Sequence, residues 1–318
     1  MKKHLKLHII WIALIVLVAL LIDFLIAQGI ITQVYERTLV TIFINIILAV
    51  GLNLVIGIAG QFSLGHAGFM AIGAYAGAIL MMQVDGILGL LLGMLVGAIL
   101  AGGVAVIIGI PTLRLTGDYL AIATLGASEI IRIIILTSDN ITNGAIGISG
   151  IPDTATWSIV YVFVIITTVL VLNYIRSSAG RATLAIRENE IAAEAMGVHS
   201  LKYKVTAFVI GAMTASVAGT LYASYLGVVA PKDFTFQKSI DVLIIVVFGG
   251  IGSVTGSIIA AISLGILNTL LQPVGEWRTI IYAIALILVM IFRPSGLLGR
   301  RELMISPFLN RQKGASQK

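Results

Sequence analysis

Glu129 and Arg132 stand three residues apart inside an apolar run, a spacing that sets a carboxylate and a guanidinium on one helix face, where they can pair. At the centre of a membrane helix each charge costs on the order of 2.5–3.5 kcal/mol, so the pair should face a bundle interior, as a polar lining or gate or as a structural ion pair. Ser63 and His66 share the same spacing, but position 61 is Gln61, so the Gly-x-Ser-x-Gly signature of a hydrolase fails; Ser253 fails likewise at Ile251. His4, His8, His66 and His199 are scattered without metal-ligand spacing, and cysteine is absent. Without a Gly-Lys dipeptide there is no Walker A loop. No catalytic residue, metal site or cofactor is therefore expected on this chain.

Two glycine-rich breaks interrupt the apolar runs. The first extends from Gly51-Leu52-Asn53 through Gly57 to Gly60-Gln61-Phe62-Ser63-Leu64-Gly65-His66-Ala67-Gly68. In hydrocarbon an unsatisfied backbone amide costs several kcal/mol, so irregular backbone persists at membrane depth only where protein or a water-filled cavity surrounds it. That points to a lined pathway, for which Asn53, Gln61, Ser63 and His66, with Glu129 and Arg132, are the candidates. A similar break, Gly249 to Ser257, follows near the end of the chain. Such a pair fits a transporter built from internal repeats, and it fits two tight inner-side turns as well.

A third polar region is the loop 176–204, where Arg181, Arg187, Lys202 and Lys204 stand with Glu188, Glu190 and Glu194. Asn189 is a good N-cap, Glu190 suits a first turn, and Gly197 followed by Val198 is a helix stop, so a two-turn helix over 190–196 is expected. Ile191 with Ala195, and Ala192 with Met196, make an apolar strip, while Glu190 and Glu194 share a polar face. Two turns are not stable alone in water. The strip needs a docking partner: the rest of the chain, the membrane surface or a groove on a soluble protein.

The elements that must position these groups follow from composition. Of 318 residues, 59% are apolar and 11% charged, against roughly 45–50% and 25% in soluble domains, so a soluble domain is excluded. Apolar runs long enough for a membrane crossing lie near 9–27, 38–57, 64–82, 86–109, 119–137, 157–175 and 205–227, followed by shorter or interrupted runs at 237–251, 254–271 and 279–292. With the N-terminus inside, 15 of the 20 lysines and arginines fall on the inner side, while Arg37, Lys232, Lys238 and Arg278 fall outside and Arg132 within a span. That is the positive-inside pattern. It accounts for the net charge of +6 without nucleic acid. Lys2, Lys3 and Lys6 precede an apolar stretch with no small-x-small cleavage pattern, so the first helix reads as uncleaved, with Asp23 as an interfacial carboxylate. The expected fold is an all-α polytopic membrane bundle of about ten helices (eight to ten), with both termini cytoplasmic. One transmembrane domain covers 1–300, and 301–318 is a basic cytoplasmic tail. The 34 glycines, many of them inside the apolar runs, favour close helix packing.

The stretches GLNLVIGIAGQFSLGHAGFMAIGAYAGA (51–78), LRLTGDYLAIATLGASEIIRIII (113–135), NITNGAIGISGIP (140–152), GRATLAIRENEIAAEAMGV (180–198), VVFGGIGSVTG (246–256) and IFRPSGLLG (291–299) together resemble the LivM-type permease subunits of ABC importers for branched-chain amino acids. The resemblance implies a multi-pass permease of the bacterial inner membrane. It further implies a second, LivH-like permease subunit, two cytoplasmic ATPase subunits (LivG- and LivF-like) that bind ATP-Mg, and an extracytoplasmic amino-acid-binding protein. It also implies that Arg187, Glu190, Ile191, Glu194, Met196 and Gly197 belong to the segment that contacts the ATPases. Glu194-Ala195-Met196-Gly197 only approximates the Glu-Ala-Ala-x-x-x-Gly pattern of other ABC importers. Permeases for urea, short amides or other amino acids are the nearest alternative, and an ion-coupled carrier using Glu129 and Arg132 is the rival from another class.

Overall fold

The computed structural model describes residues 16–29, 32–271 and 296–299, together with 277, 281, 284 and 287. After α1 (Val16–Ala27), α2 (Gln33–Asn53) runs without interruption into a π-helical turn, Leu54–Ile58. Together they make a 26-residue helix. The remaining helices are α3 (His66–Gln83), α4 (Gly86–Thr112), α5 (Asp118–Thr137), α6 (Asp139–Thr142), α7 (Trp157–Arg176), α8 (Ser178–Glu188), α9 (Glu190–Ala195), α10 (Ser200–Leu226), α11 (Phe236–Gly249) and α12 (Val254–Leu270). Two residue pairs form an antiparallel ladder between β1 (Ile148–Ser149) and β2 (Val228–Val229), tying the loop before α7 to the end of α10.

The chain is an all-α, multi-pass membrane protein. Among the described residues five helices are long and apolar enough to cross a membrane, or six if the bent pair α11–α12 is one span. That pair departs from the sequence expectation. The runs 237–251 and 254–271 read as two separate crossings, but α11 has 14 residues, about 21 Å of helix against roughly 30 Å of hydrocarbon. The two helices are bent by 117° at the break between them. Gly250 and Gly252 take φ values of +118° and +95°, which side-chain-bearing residues rarely adopt. Residues 296–299 seal the bend, with Leu297 N donating to the Phe248 carbonyl at 2.8 Å. The run 279–292 and the tail 301–318 lie outside the described residues.

The glycines inside the apolar runs do what their positions imply. α3, α4 and α10 pack backbone to backbone at the centre: a Cβ on Gly73 would collide with the Ser216 backbone, and one on Gly219 with the Met70 carbonyl. Thr220 Oγ1 donates to the Gly73 carbonyl at 2.8 Å. Close approach of this kind substitutes for the hydrophobic force that lipid does not supply. Phe234, in the 3₁₀ turn Pro231–Phe234, stacks edge-on to Tyr75 at 6.2 Å and Tyr222 at 6.0 Å, anchoring the entry to α11.

Candidate functional site

The two glycine breaks, nearly 200 residues apart in the chain, meet in space. Asn53 Nδ2 donates to the Ser253 carbonyl and to Ser257 Oγ, each at 2.7 Å, while its Oδ1 accepts from Gly252 N at 2.8 Å. The chain at 250–253 has left the helix, so the Gly252 amide takes the buried asparagine as its acceptor, while the Ser253 carbonyl, which accepts from Ser257 N at 3.1 Å as the start of α12, takes a second bond from it. Gly57 completes the fit, because a Cβ there would run into Gly252. Asn53 thus spends its amide on joining the π-helical end of α2 to the α11–α12 bend.

Beyond the π turn the chain leaves the helix at Gly60 and runs extended through Gly65, where α3 begins. Gln61, Ser63 and His66 are all buried, at 2%, 2% and 4% exposure. Neither polar atom of the Gln61 side chain has a hydrogen-bond partner, and neither does His66 Nε2. Ser63 Oγ accepts weakly from Gly65 N at 3.4 Å, and no hydrogen bond joins Ser63 to His66 among the described residues. Leu64 N donates to Thr124 Oγ1 and Ala67 N to Ser239 Oγ, each at 3.0 Å, so α5 and α11 hold the extended segment between them. Gln61 N donates to the Val55 carbonyl at 3.0 Å, so much of the irregular backbone is paired, while Gly60 and Phe62 stay exposed.

Glu129 and Arg132 pair as their spacing predicts, with Arg132 Nε 2.6 Å from Glu129 Oε2. Both side chains are partly exposed on α5 and stand apart from the asparagine clamp.

On the inner loop the expected short helix is α9. Asn189 caps it, its side chain accepting from Ala192 N at 3.0 Å. Gly197, at φ +83°, ends it with Val198 N donating to the Ala193 carbonyl at 3.0 Å and Gly197 N to Glu194 at 2.9 Å. That is a Schellman ending. The polar face is the mount. Glu190 holds Lys204 Nζ at 2.6 and 2.7 Å, and Ser200 Oγ donates to Glu194 Oε1. Ile191 and Met196 are 83% and 84% exposed, so no part of the described chain covers the apolar strip.

Arg187, at the end of α8, reaches the other way. Its Nη1 donates to the Gly57 carbonyl and its Nη2 to Glu188 Oε1 at 2.6 Å. A Cβ on Gly60 would sit 2.7 Å from Arg187 Cγ, and one on Gly252 3.3 Å from Nη1. One arginine therefore touches both breaks. The sequence placed it with the docking residues, but its guanidinium faces the membrane domain.

Sequence reading missed one polar group. Lys238, counted with the outer cations, is half-buried on α11 and donates to Asn45 Oδ1 at 3.2 Å. Asn45 is midway along the 26-residue helix Gln33–Ile58. Asp241, one turn further along α11, is exposed. Their spacing of three matches that of Glu129 and Arg132 and is legible, although the count of outer cations includes Lys238 while the apolar run 237–251 contains it. No group of three or more histidine, aspartate or glutamate side chains suited to a metal ion occurs among the described residues.

Residues 34–292 match the family model described as branched-chain amino acid transport system / permease component. The chain is 35% identical over 281 residues to the high-affinity branched-chain amino acid transport system permease protein LivM of Escherichia coli K12, covering 78% of this chain and 65% of that protein. It is 26% identical over 246 residues to the probable branched-chain amino acid transport permease protein LivM of Methanocaldococcus jannaschii, covering 69% and 70%. The E. coli permease protein LivH matches at 35% over 128 residues, 40% of this chain. The chain thus spans somewhat under two thirds of the length of the E. coli LivM protein. No solved structure matches it. A family match across the whole span from α2 past α12, with both breaks and the α8–α9 module inside it, means that this chain belongs to the family of branched-chain amino acid transport permease components.

Proposed function

We propose that this chain is the transmembrane permease subunit of a binding-protein-dependent ABC importer, carrying branched-chain amino acids (leucine, isoleucine, valine) inward across a bacterial inner membrane. The importer reading includes a second, LivH-like permease subunit, two cytoplasmic ATPase subunits that bind ATP-Mg, and an extracytoplasmic amino-acid-binding protein. Both termini and the α8–α9 module face the cytoplasm in this reading. The substrate class rests on the names of the relatives, and nothing in the geometry reads an aliphatic side chain directly.

One observation carries the proposal. The α8–α9 module presents a bare apolar strip, Ile191 and Met196, on a helix too short to stand alone, yet it is mounted rigidly on α10 and pinned to both breaks through Arg187. A push on that strip has a covalent and hydrogen-bonded route to the bend between α11 and α12. A closing pair of ATPases would shift the bundle between outward and inward states only through differential contacts, and this strip offers them. Ile191 and Met196 are assigned the contact, Glu190, Glu194 and Gly197 the mount, and Arg187 the link.

The test is reconstitution of the chain with its neighbouring-gene ATPases, second permease and binding protein in proteoliposomes. ATP-dependent leucine uptake is expected, and none from the chain alone. Uptake by the isolated chain driven by a proton or sodium gradient would establish the ion-coupled rival instead.

A further inference from the structure

We propose that Lys238 and Asp241, with Gln237 beside them on the first turns of α11, form a mid-membrane station for a zwitterionic α-amino acid at the edge of the α2–α11 contact, the Asp241 carboxylate receiving the α-ammonium and the Lys238 ammonium the α-carboxylate. The inference rests on the importer reading above and names the groups that would touch its cargo.

Depth is the first argument. Lys238 Nζ reaches Asn45 at 3.2 Å, and Asn45 stands at the midpoint of the long helix Gln33–Ile58. Next to it, Ser239 Oγ accepts from Ala67 N, pinning the first turns of α11 to the start of α3. This lysine is no loop cation.

Orientation is the second. Gln237 and Asp241 are four residues apart and Lys238 and Asp241 three, so all three share one face of α11. Gln237 and Asp241 are exposed, and Gln237 lies within hydrogen-bonding reach of the Asp241 carboxylate. α11 packs on α2, α12, α3 and α5, with Lys238 turned toward Asn45 of α2 and the Gln237 and Asp241 side chains left exposed by the described chain. Charges at this depth do not face lipid. They face protein or a water-filled route.

The third argument is charge balance. The ion pairs within 4 Å among the described residues join Glu129 with Arg132, Glu188 with Arg187 and Glu190 with Lys204. Lys238 and Asp241 are not among them. They present opposite charges side by side without neutralising each other by contact. A simple cation or anion would answer one and leave the other uncompensated, whereas a zwitterion answers both. Ile244, three residues past Asp241 on α11, is half-buried and gives an aliphatic side chain an apolar neighbour.

The experiment uses the reconstituted complex with ATP and its binding protein. Asp241→Asn and Lys238→Gln are each expected to lower leucine uptake at least tenfold while complex assembly and basal ATP hydrolysis hold, and Asp241→Glu is expected to recover part of the loss. The wild-type complex, solubilised without its binding protein, supplies a second measurement: unlabelled leucine should displace labelled leucine, whereas leucinamide, lacking the carboxylate, and 4-methylpentanoate, lacking the ammonium, should need at least tenfold more. Uptake within twofold of wild type in both neutralised variants overturns the station. So does equal displacement by the two analogues, or the absence of saturable leucine binding. If the variants fail to assemble, the displacement series decides alone. A wild-type complex that takes up no leucine with ATP defeats the importer reading itself, whereas normal wild-type uptake with unaffected variants defeats only this site.

Discussion

Asn53→Ala is the perturbation with the clearest cost. The side chain makes three hydrogen bonds, two as donor to the Ser253 carbonyl and Ser257 Oγ and one as acceptor from Gly252 N, and Asn53 is 1% exposed. Truncation removes all three and leaves the Gly252 amide without its acceptor, while the Ser253 carbonyl keeps the Ser257 amide at 3.1 Å. At about 0.6–1.5 kcal/mol for each lost bond, the lower figure being the membrane value, the expected loss is about 2–4 kcal/mol. For a chain of this size, that corresponds to a fall in melting temperature of roughly 4–8 °C. The assay is thermal denaturation of the solubilised protein, read by the monodisperse fraction on size exclusion. Ser257→Ala, which removes one of the three bonds and also the Ser257 Oγ bond to the Ser253 carbonyl at 3.2 Å, should cost up to about two thirds as much, and the double variant should fall short of the sum because one lost bond is shared. A melting temperature for Asn53→Ala within about 1 °C of wild type would refute the clamp, as would strict additivity with Ser257→Ala.

Ile191→Asp and Met196→Asp should abolish ATP-dependent uptake and uncouple the ATPases while leaving insertion and melting temperature unchanged, since both side chains are almost fully exposed; the check is uptake beside ATP hydrolysis in proteoliposomes. Gly197→Ala forces a side chain into φ +83° and should destabilise the α9 ending by about 1 kcal/mol, read as faster amide exchange confined to residues around 189–200. Gly73→Leu, which drives a side chain into the Ser216 backbone, should prevent stable folding, seen as loss of the monodisperse species on extraction. Arg187→Lys keeps the charge but loses the planar fork, so uptake should fall several-fold with the complex intact.

Much of the site was legible because its physics is local. Asn189, Glu190 and Gly197 are cap, first-turn acid and stop by residue type alone, and α9 starts where they imply and ends at Ala195, one residue short of the expected 190–196, with Met196 as its C-cap. Glu129 and Arg132 pair because a helix puts residues three apart on one face. The glycine breaks were readable as irregular backbone, but their meeting was not, because contact between residues 53 and 253 depends on how α2, α11 and α12 pack. The same limit applied to Arg187. The family resemblance grouped it with the ATPase-contact segment, and the bond from its guanidinium to the Gly57 carbonyl depends on how α8 packs against the π turn. Crossing counts suffered from a related blindness, since hydropathy registers the apolar length of 237–271 and not the 117° bend within it.

The bend and the π turn are parts of one solution to a single problem. A helix end in hydrocarbon exposes carbonyls and amides that have no ladder partners. At α11–α12 those groups are taken up by Asn53, by Leu297 and Leu298 donating to the Phe248 and Gly249 carbonyls, and by Ser253, whose Oγ accepts from Gly256 N at the start of α12. At α2 the Gly57 carbonyl is taken up by Arg187. Asn53, Arg187 and the Leu297–Leu298 segment come from three separate parts of the chain, so a shift of either break would have to exchange these partners. Glycine at 57, 60 and 252 keeps the guanidinium and the two backbones in contact, because a Cβ at any of the three would press on Arg187 or on the facing chain. In the importer reading proposed above, a force applied at α9 would reach the two breaks through Arg187.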